Sequence, residues 1–200
     1  MRLADEKDLC AASDNMKLHK LFLKAANEEE PLRIDALSSP PCLEKLKLVG
    51  KLEKVACWFP SLHSVTFLLF LWSRLREDPL PCLQSVPNLA RLIVVNAYVA
   101  KQLCFLDGFQ KVKILNTYNC NQLNEIVLEK GVMPSLQILS LGRCMKLKAL
   151  PHSIEFIIVR EGIIECIRGE VRVDRQKVKH IPNTSYHFQT QSGLSFERLS

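Results

Sequence analysis

Eight cysteines and five histidines are the residues of this chain best suited to metal binding, redox exchange or nucleophilic attack. The cysteines stand at positions 10, 42, 57, 82, 104, 120, 144 and 166, and no two of them form a C-x-x-C pair. Structural zinc needs thiolates or imidazoles in closely spaced pairs, so this spacing predicts no zinc site. Catalysis needs a nucleophile held against a base, or paired carboxylates in a cleft. His19, His63, His152, His180 and His187 share no motif with a cysteine or serine that could serve as nucleophile. No G-x-x-x-x-G-K-[ST] loop is present to cradle phosphates. These residues therefore predict free thiols and surface imidazoles, with no catalytic group, no cofactor and no metal.

The elements that position the cysteines follow a repeat. The stretch "MPSLQILSLGRCMKLKALP" (133–151) begins with strand-like alternation at Leu139 and Leu141 and changes its rule after Cys144. Its template, L-x-x-L-x-L, recurs as Leu43-Leu46-Leu48, Val65-Leu68-Phe70, Leu89-Leu92-Val94, Val112-Leu115-Thr117 and Leu136-Leu139-Leu141. Successive copies start 22, 24, 23 and 24 residues apart, and Leu18-Leu21-Leu23 lies 25 residues before the first. Self-similarity at this period is the signature of a leucine-rich repeat. In x-L-x-L-x the leucines point to one side and the x residues to the other. A single unit buries too little to fold alone, so units must stack and pair their strands into one parallel sheet.

The fold class expected is α/β, a curved leucine-rich-repeat solenoid. Its parallel sheet would line the concave face, with a mostly irregular and short-helical convex side. Residues 1–17 read as a lead-in. Residues 18–155 carry about six repeats, starting near 18, 43, 65, 89, 112 and 136. Residues 156–200 read as a degenerate last repeat and a basic, partly disordered tail. The copy at 18–23 also satisfies helical spacing through Leu18, Leu21, Phe22 and Ala25. Cys120 and Cys144 occupy the Asn/Cys position of the repeat, inside the turn. A redox pair across stacked repeats is the other reading of those two.

Composition agrees with a packed interior. Of 200 residues, 48% are hydrophobic, which argues against disorder. The formal charge of +6 is too mild to argue for nucleic acid. The charged start, "MRLADEKDLC", is unlike a secretory signal. The longest apolar run, "VTFLLFLW" (65–72), is far short of the roughly 20 residues of a membrane span. The expectation is a cytoplasmic protein with no transmembrane segment.

Several longer stretches carry a resemblance. "GKLEKVACWFPSL" (50–62), "LWSRLREDPLPCLQSVPNLARL" (71–92) and the segment 109–155, with its "GRCMKLKALP", resemble the C-terminal repeats of plant coiled-coil NB-LRR disease-resistance proteins. "RGEVRVDRQKVKHIPN" (168–183) resembles the basic tail that closes them. The likeness covers about residues 16 to 190. It implies an intracellular immune receptor whose repeats restrain a nucleotide-binding switch and help sense pathogen effectors or modified host proteins. The phosphate-binding loop of such a switch is absent here, and the full repeat usual after Ile154 is replaced by "IEFIIVREGIIEC". A substrate adaptor of a ubiquitin ligase is the alternative, although residues 1–15 are too short for its helical docking segment.

The outward x positions would form three rows along the concave face. By repeat they are Lys20, Phe22, Lys24; Lys45, Lys47, Val49; Phe67, Leu69, Leu71; Arg91, Ile93, Val95; Ile114, Asn116, Tyr118; and Ile138, Ser140, Gly142. The expected partner is a protein, either a nucleotide-binding domain, a pathogen effector or a host target. Nucleic acid is not expected, since only Phe22 interleaves an aromatic ring with the lysines. A contiguous apolar patch marks an interface. β-branched and aromatic residues also simply suit strands, and "VTFLLFLW" also reads as aggregation-prone.

Overall fold

Each L-x-L alternation becomes a five-residue strand in the structure, a computed structural model. It describes residues 18–27, 30–35, 42–52, 54–56, 58–147, 149, 151 and 181, together with the strand backbones 161–166, 185–190 and 193–198. The repeat strands are β1 (Lys20–Lys24), β2 (Lys45–Val49), β3 (Phe67–Leu71), β4 (Arg91–Val95), β6 (Ile114–Tyr118) and β8 (Ile138–Gly142). Two shorter strands, β5 (Gln102–Phe105) and β7 (Glu125–Leu128), fall between them. Three more, β9 (Glu161–Cys166), β10 (Ser185–Thr190) and β11 (Gly193–Arg198), lie within the stretch read as degenerate repeat and tail. The main sheet has nine strands in the order β1-β2-β3-β4-β6-β8-β9-β10-β11. All its pairings are parallel except β10 with β11. This is the leucine-rich-repeat solenoid, and the copy at 18–23 is a strand.

The register puts equivalent leucines in line. Leu21, Leu46, Leu68, Leu92, Leu115 and Leu139 form one interior row; Leu23, Leu48, Phe70, Val94, Thr117 and Leu141 form the next. Every member of both rows is buried. The first template position lies just ahead of each strand, and Leu43, Val65, Leu89, Val112 and Leu136 are buried there too. Cross-repeat pairing extends one residue ahead of the strands, where Glu44, Thr66, Ala90, Lys113 and Gln137 each donate a backbone N–H to the preceding repeat.

The chain then has to leave the sheet, and it does so at one recurring corner. The residue after each of β2, β3, β4, β6 and β8 has positive φ: Gly50 130°, Trp72 58°, Asn96 46°, Asn119 58° and Arg143 49°. The N–H of Gly50, Trp72, Asn96 and Asn119 donates to the last carbonyl of the following strand. The return side carries a 3-10 turn at Phe59–Ser61 and a four-residue helix, α1 (Leu80–Leu83). It also carries a two-stranded parallel sheet, in which Leu103, Phe105, Ile126 and Leu128 turn inward.

One interior position breaks the apolar rule. Thr117 stands where the neighbouring repeats hold Val94 and Leu141, and its Oγ1 is buried with no hydrogen-bond partner among the described residues. An unpaired buried hydroxyl opposes folding, and valine has the same shape without it. Thr117→Val is expected to raise the unfolding free energy by about 1–2 kcal/mol in urea titrations. A loss of stability would reveal a partner for the hydroxyl.

Candidate functional site

Cys120 and Cys144, the two cysteines weighed as a redox pair, sit in the solenoid's turns, and Cys10 and Cys57 lie outside the described residues. Cys120 is fully buried and Cys144 nearly so. The two thiols make the same contact one repeat apart. Cys120 Sγ donates to Tyr118 O at 3.6 Å, and Cys144 Sγ donates to Gly142 O at 3.4 Å. Each closes the turn behind a positive-φ corner, Asn119 or Arg143. The neighbouring Cys144 thiol, helped by the backbone at Ala97, Tyr98 and Asn96, holds Cys120 down to about 7 against the opposing effect of burial. A thiol without access to solvent cannot meet a substrate, whatever its ionisation. Cys104 is partly exposed, and burial, Asp78 and Glu125 push its thiol up, away from the reactive form. No group of three metal-ligating side chains occurs among the described residues.

What remains is the open face of the nine-stranded sheet. Its rungs run Lys45–Phe67–Arg91–Ile114–Ile138, then Lys47–Leu69–Ile93–Asn116–Ser140, then Leu71–Val95–Tyr118. The structure thus brings all thirteen of these sequence-chosen side chains onto one surface. Lys45, Lys47 and Arg91 are exposed, and the others are half-buried. Val49 and Gly142, also read from the sequence as outward positions, are buried, although Val49 still lines a hollow on this face. Both end their strands at a corner, and Val49 is followed by the Gly50 backbone packed against Ala25.

Side chains on this face are organised by cations resting on rings. Lys47 Nζ lies 5.8 Å and Arg91 Cζ 5.9 Å from the centre of the Phe67 ring. Arg143 Cζ lies 5.3 Å from the Tyr118 ring. A cation at this distance over a ring face contributes about 0.5–1 kcal/mol at exposed sites. Lys47 and Arg91 therefore hold Phe67 half-covered in place. Between Lys47 and Arg91, and on past them, Leu69, Leu71, Ile93 and Val95 make a continuous apolar strip.

Two features of the face were missed at the sequence level. Trp72, 41% exposed, sits at the corner after β3, and Arg143 sits at the corner after β8. Template counting stops at the strand end, and only their place after the second leucine pair could have flagged them. Among the described residues no helix is long and apolar enough to cross a membrane.

The chain is 39% identical over 204 aligned residues to the Arabidopsis thaliana "Disease resistance protein RPM1", covering 97% of this chain and 22% of that protein. It is 31% identical to "Disease resistance protein RPH8A" of the same plant, over 72% of this chain and 17% of the relative. It is 27% identical to "Probable disease resistance protein RF45", over 91% of this chain and 19% of the relative. The chain spans about a fifth of the length of these curated relatives. No protein-family model matches it, and no solved structure matches it significantly.

Proposed function

The curated homologues of this chain are plant disease resistance proteins, its solenoid fits a C-terminal leucine-rich-repeat region of such a protein, and on that premise we propose that it is a protein-recognition module of an immune receptor. The open face of the sheet is its contact surface, and its role is binding, not catalysis. It engages either the receptor's nucleotide-binding switch or the effector or host protein that the receptor senses, in the cytoplasm. One observation carries this reading. Leu69, Leu71, Ile93 and Val95 are contiguous, half-buried and unsupported by any other layer among the described residues. Contiguous apolar surface on a soluble module is a place for a partner.

The test is co-expression with a nucleotide-binding domain taken from one of the relatives. The wild-type chain is expected to co-purify with it. Leu69→Lys/Ile93→Lys is expected to weaken that association by at least about tenfold, since central apolar anchors dominate interface energies. Both positions lie outside the solenoid interior, so circular dichroism of the double variant should match the wild type. Undiminished association of that variant would remove the proposed surface.

A further inference from the structure

The β1 end of the open face is chemically unlike the rest. Lys20 and Lys24 of β1 and Lys45 and Lys47 of β2 are all exposed. Parallel register sets Lys20 directly beside Lys45. Paired strands lie about 4.8 Å apart, and like charges directly opposite each other on a sheet repel. Among the described residues none of the four lysines meets a carboxylate, and the nearby Glu44 is hydrogen-bonded to His19 at 3.1 Å. Arg91, on the far side of the Phe67 ring from Lys47, continues the positive strip to β4. Within this frame lies a hollow of about 550 Å³ lined by Lys20, Phe22, Lys45, Lys47, Leu69 and Leu71. Its lysines are exposed and its leucines half-buried, so the charges form the rim and the apolar groups the floor. Phe22 stands among the lysines with 46% of its surface exposed.

We propose that this hollow takes a carboxylate-rich polypeptide segment that carries an apolar side chain. Its carboxylates meet the lysine rim, and its apolar group packs on Phe22, Leu69 and Leu71. The inference rests on the protein-binding reading above and names the chemistry of the partner. The like-charged Lys20–Lys45 pair at strand spacing, with Lys24 and Lys47 beside it, is relieved by an anionic partner. A nucleic acid fits less well. Base stacking along a strand needs a succession of free ring faces, and of the two rings here only Phe22 is open, the Phe67 ring already carrying Lys47 and Arg91. On β3 and β4 this surface is mainly Leu69, Leu71, Ile93 and Val95, which offer a phosphate chain nothing, and Arg91 is the one cation among them. A lipid surface would require apolar groups projecting past the lysines, the reverse of a recessed floor.

Fluorescence anisotropy of the intact chain tests the assignment. The probes are a short labelled peptide of aspartates and glutamates flanking one leucine and one phenylalanine, the same peptide with serine for its apolar residues, a single-stranded oligonucleotide, and phosphatidylserine vesicles. The acidic-apolar peptide is expected to bind best, and more weakly as salt rises. Lys45→Glu/Lys47→Glu should weaken it at least about tenfold, and Lys45→Arg/Lys47→Arg should retain it. Absence of peptide binding, tighter binding of the oligonucleotide or vesicles, or indifference to the charge reversal each overturns the proposal. The co-purification partner separates the two readings. Association lost with Leu69→Lys/Ile93→Lys but insensitive to charge reversal sinks the acidic-segment assignment and leaves the binding face standing. Association sensitive to neither removes both.

Discussion

Phe70→Ala is expected to remove about 3–5 kcal/mol of unfolding free energy, enough to unfold much of a marginal solenoid. The ring is fully buried in the interior row between Leu48 and Val94. It stacks on Phe59, with ring centres 6.1 Å apart and planes 13° from parallel. Phe59 in turn packs against Trp58 at 4.7 Å, and Trp58 Nε1 donates to Ile34 O at 2.8 Å, one repeat earlier. Alanine would leave a void under this stack that the rigid strand register cannot close. In a solenoid each repeat is held only by its neighbours, so a weak third strand divides the array. Urea unfolding followed by circular dichroism should show an earlier midpoint and a shallower or split transition. Phe70→Leu, which fills most of the volume, should be far milder. A loss below about 1 kcal/mol for the alanine variant would mean that the ring lies outside the packed interior.

The interior rows that make this argument possible are legible in the sequence, and the reason is arithmetic. Period-two alternation inside a period near 23 leaves one consistent solution: Leu46, Leu68, Leu92, Leu115 and Leu139 side by side. The outward rows follow from the same parity, which is why Lys45, Leu69, Ile93 and Asn116 could be assigned to one face. The strands β5 and β7 were not foreseen, although the signal was present. Leu103 and Phe105 return as Ile126 and Leu128 after the same 23 residues. Four-residue strands are too short for alternation alone to separate from a turn.

Corners were legible only in part. Gly50, Asn96 and Asn119 are residues that accept positive φ, but Trp72 and Arg143 are not, and no propensity rule would have placed them there. At Trp72 a hydrogen bond to the next strand and burial of Phe70 and Leu75 impose the turn; at Arg143 burial of Leu141 and Leu147 does so. The hollow near β1 was the least legible feature. Sequence spacing places lysines in rows but is silent on which rings they cover. It is equally silent on how far an outward residue is covered: Val49 lines the hollow and is nonetheless buried. Those outcomes depend on side-chain directions set by neighbours some two dozen residues away.

Gly50→Val is expected to destabilise the chain by about 2–4 kcal/mol, and for a reason the other corners do not share. At Trp72, Asn96, Asn119 and Arg143 φ lies between 46° and 58°, within the small left-handed region that side chains can enter. Gly50 has φ of 130°, outside that region and open only to glycine. A Cβ there would also stand 2.6 Å from the Cβ of Ala25, in the preceding repeat. Ala25 cannot yield easily, because its N–H is fixed to Val49 O at 2.9 Å. Nor can Gly50 rotate away without breaking its own bond to Leu71 O at 3.0 Å. Branching at Cβ adds to both difficulties, so the substitution must pry β1 from β2. The loss should therefore be local as well as global. Hydrogen exchange is expected to quicken first at the amides of Lys45 to Val49, before those of β4 and β6. Uniform exchange across the sheet would place the strain elsewhere, and unchanged stability would show that this corner does not clamp the first repeat to the second.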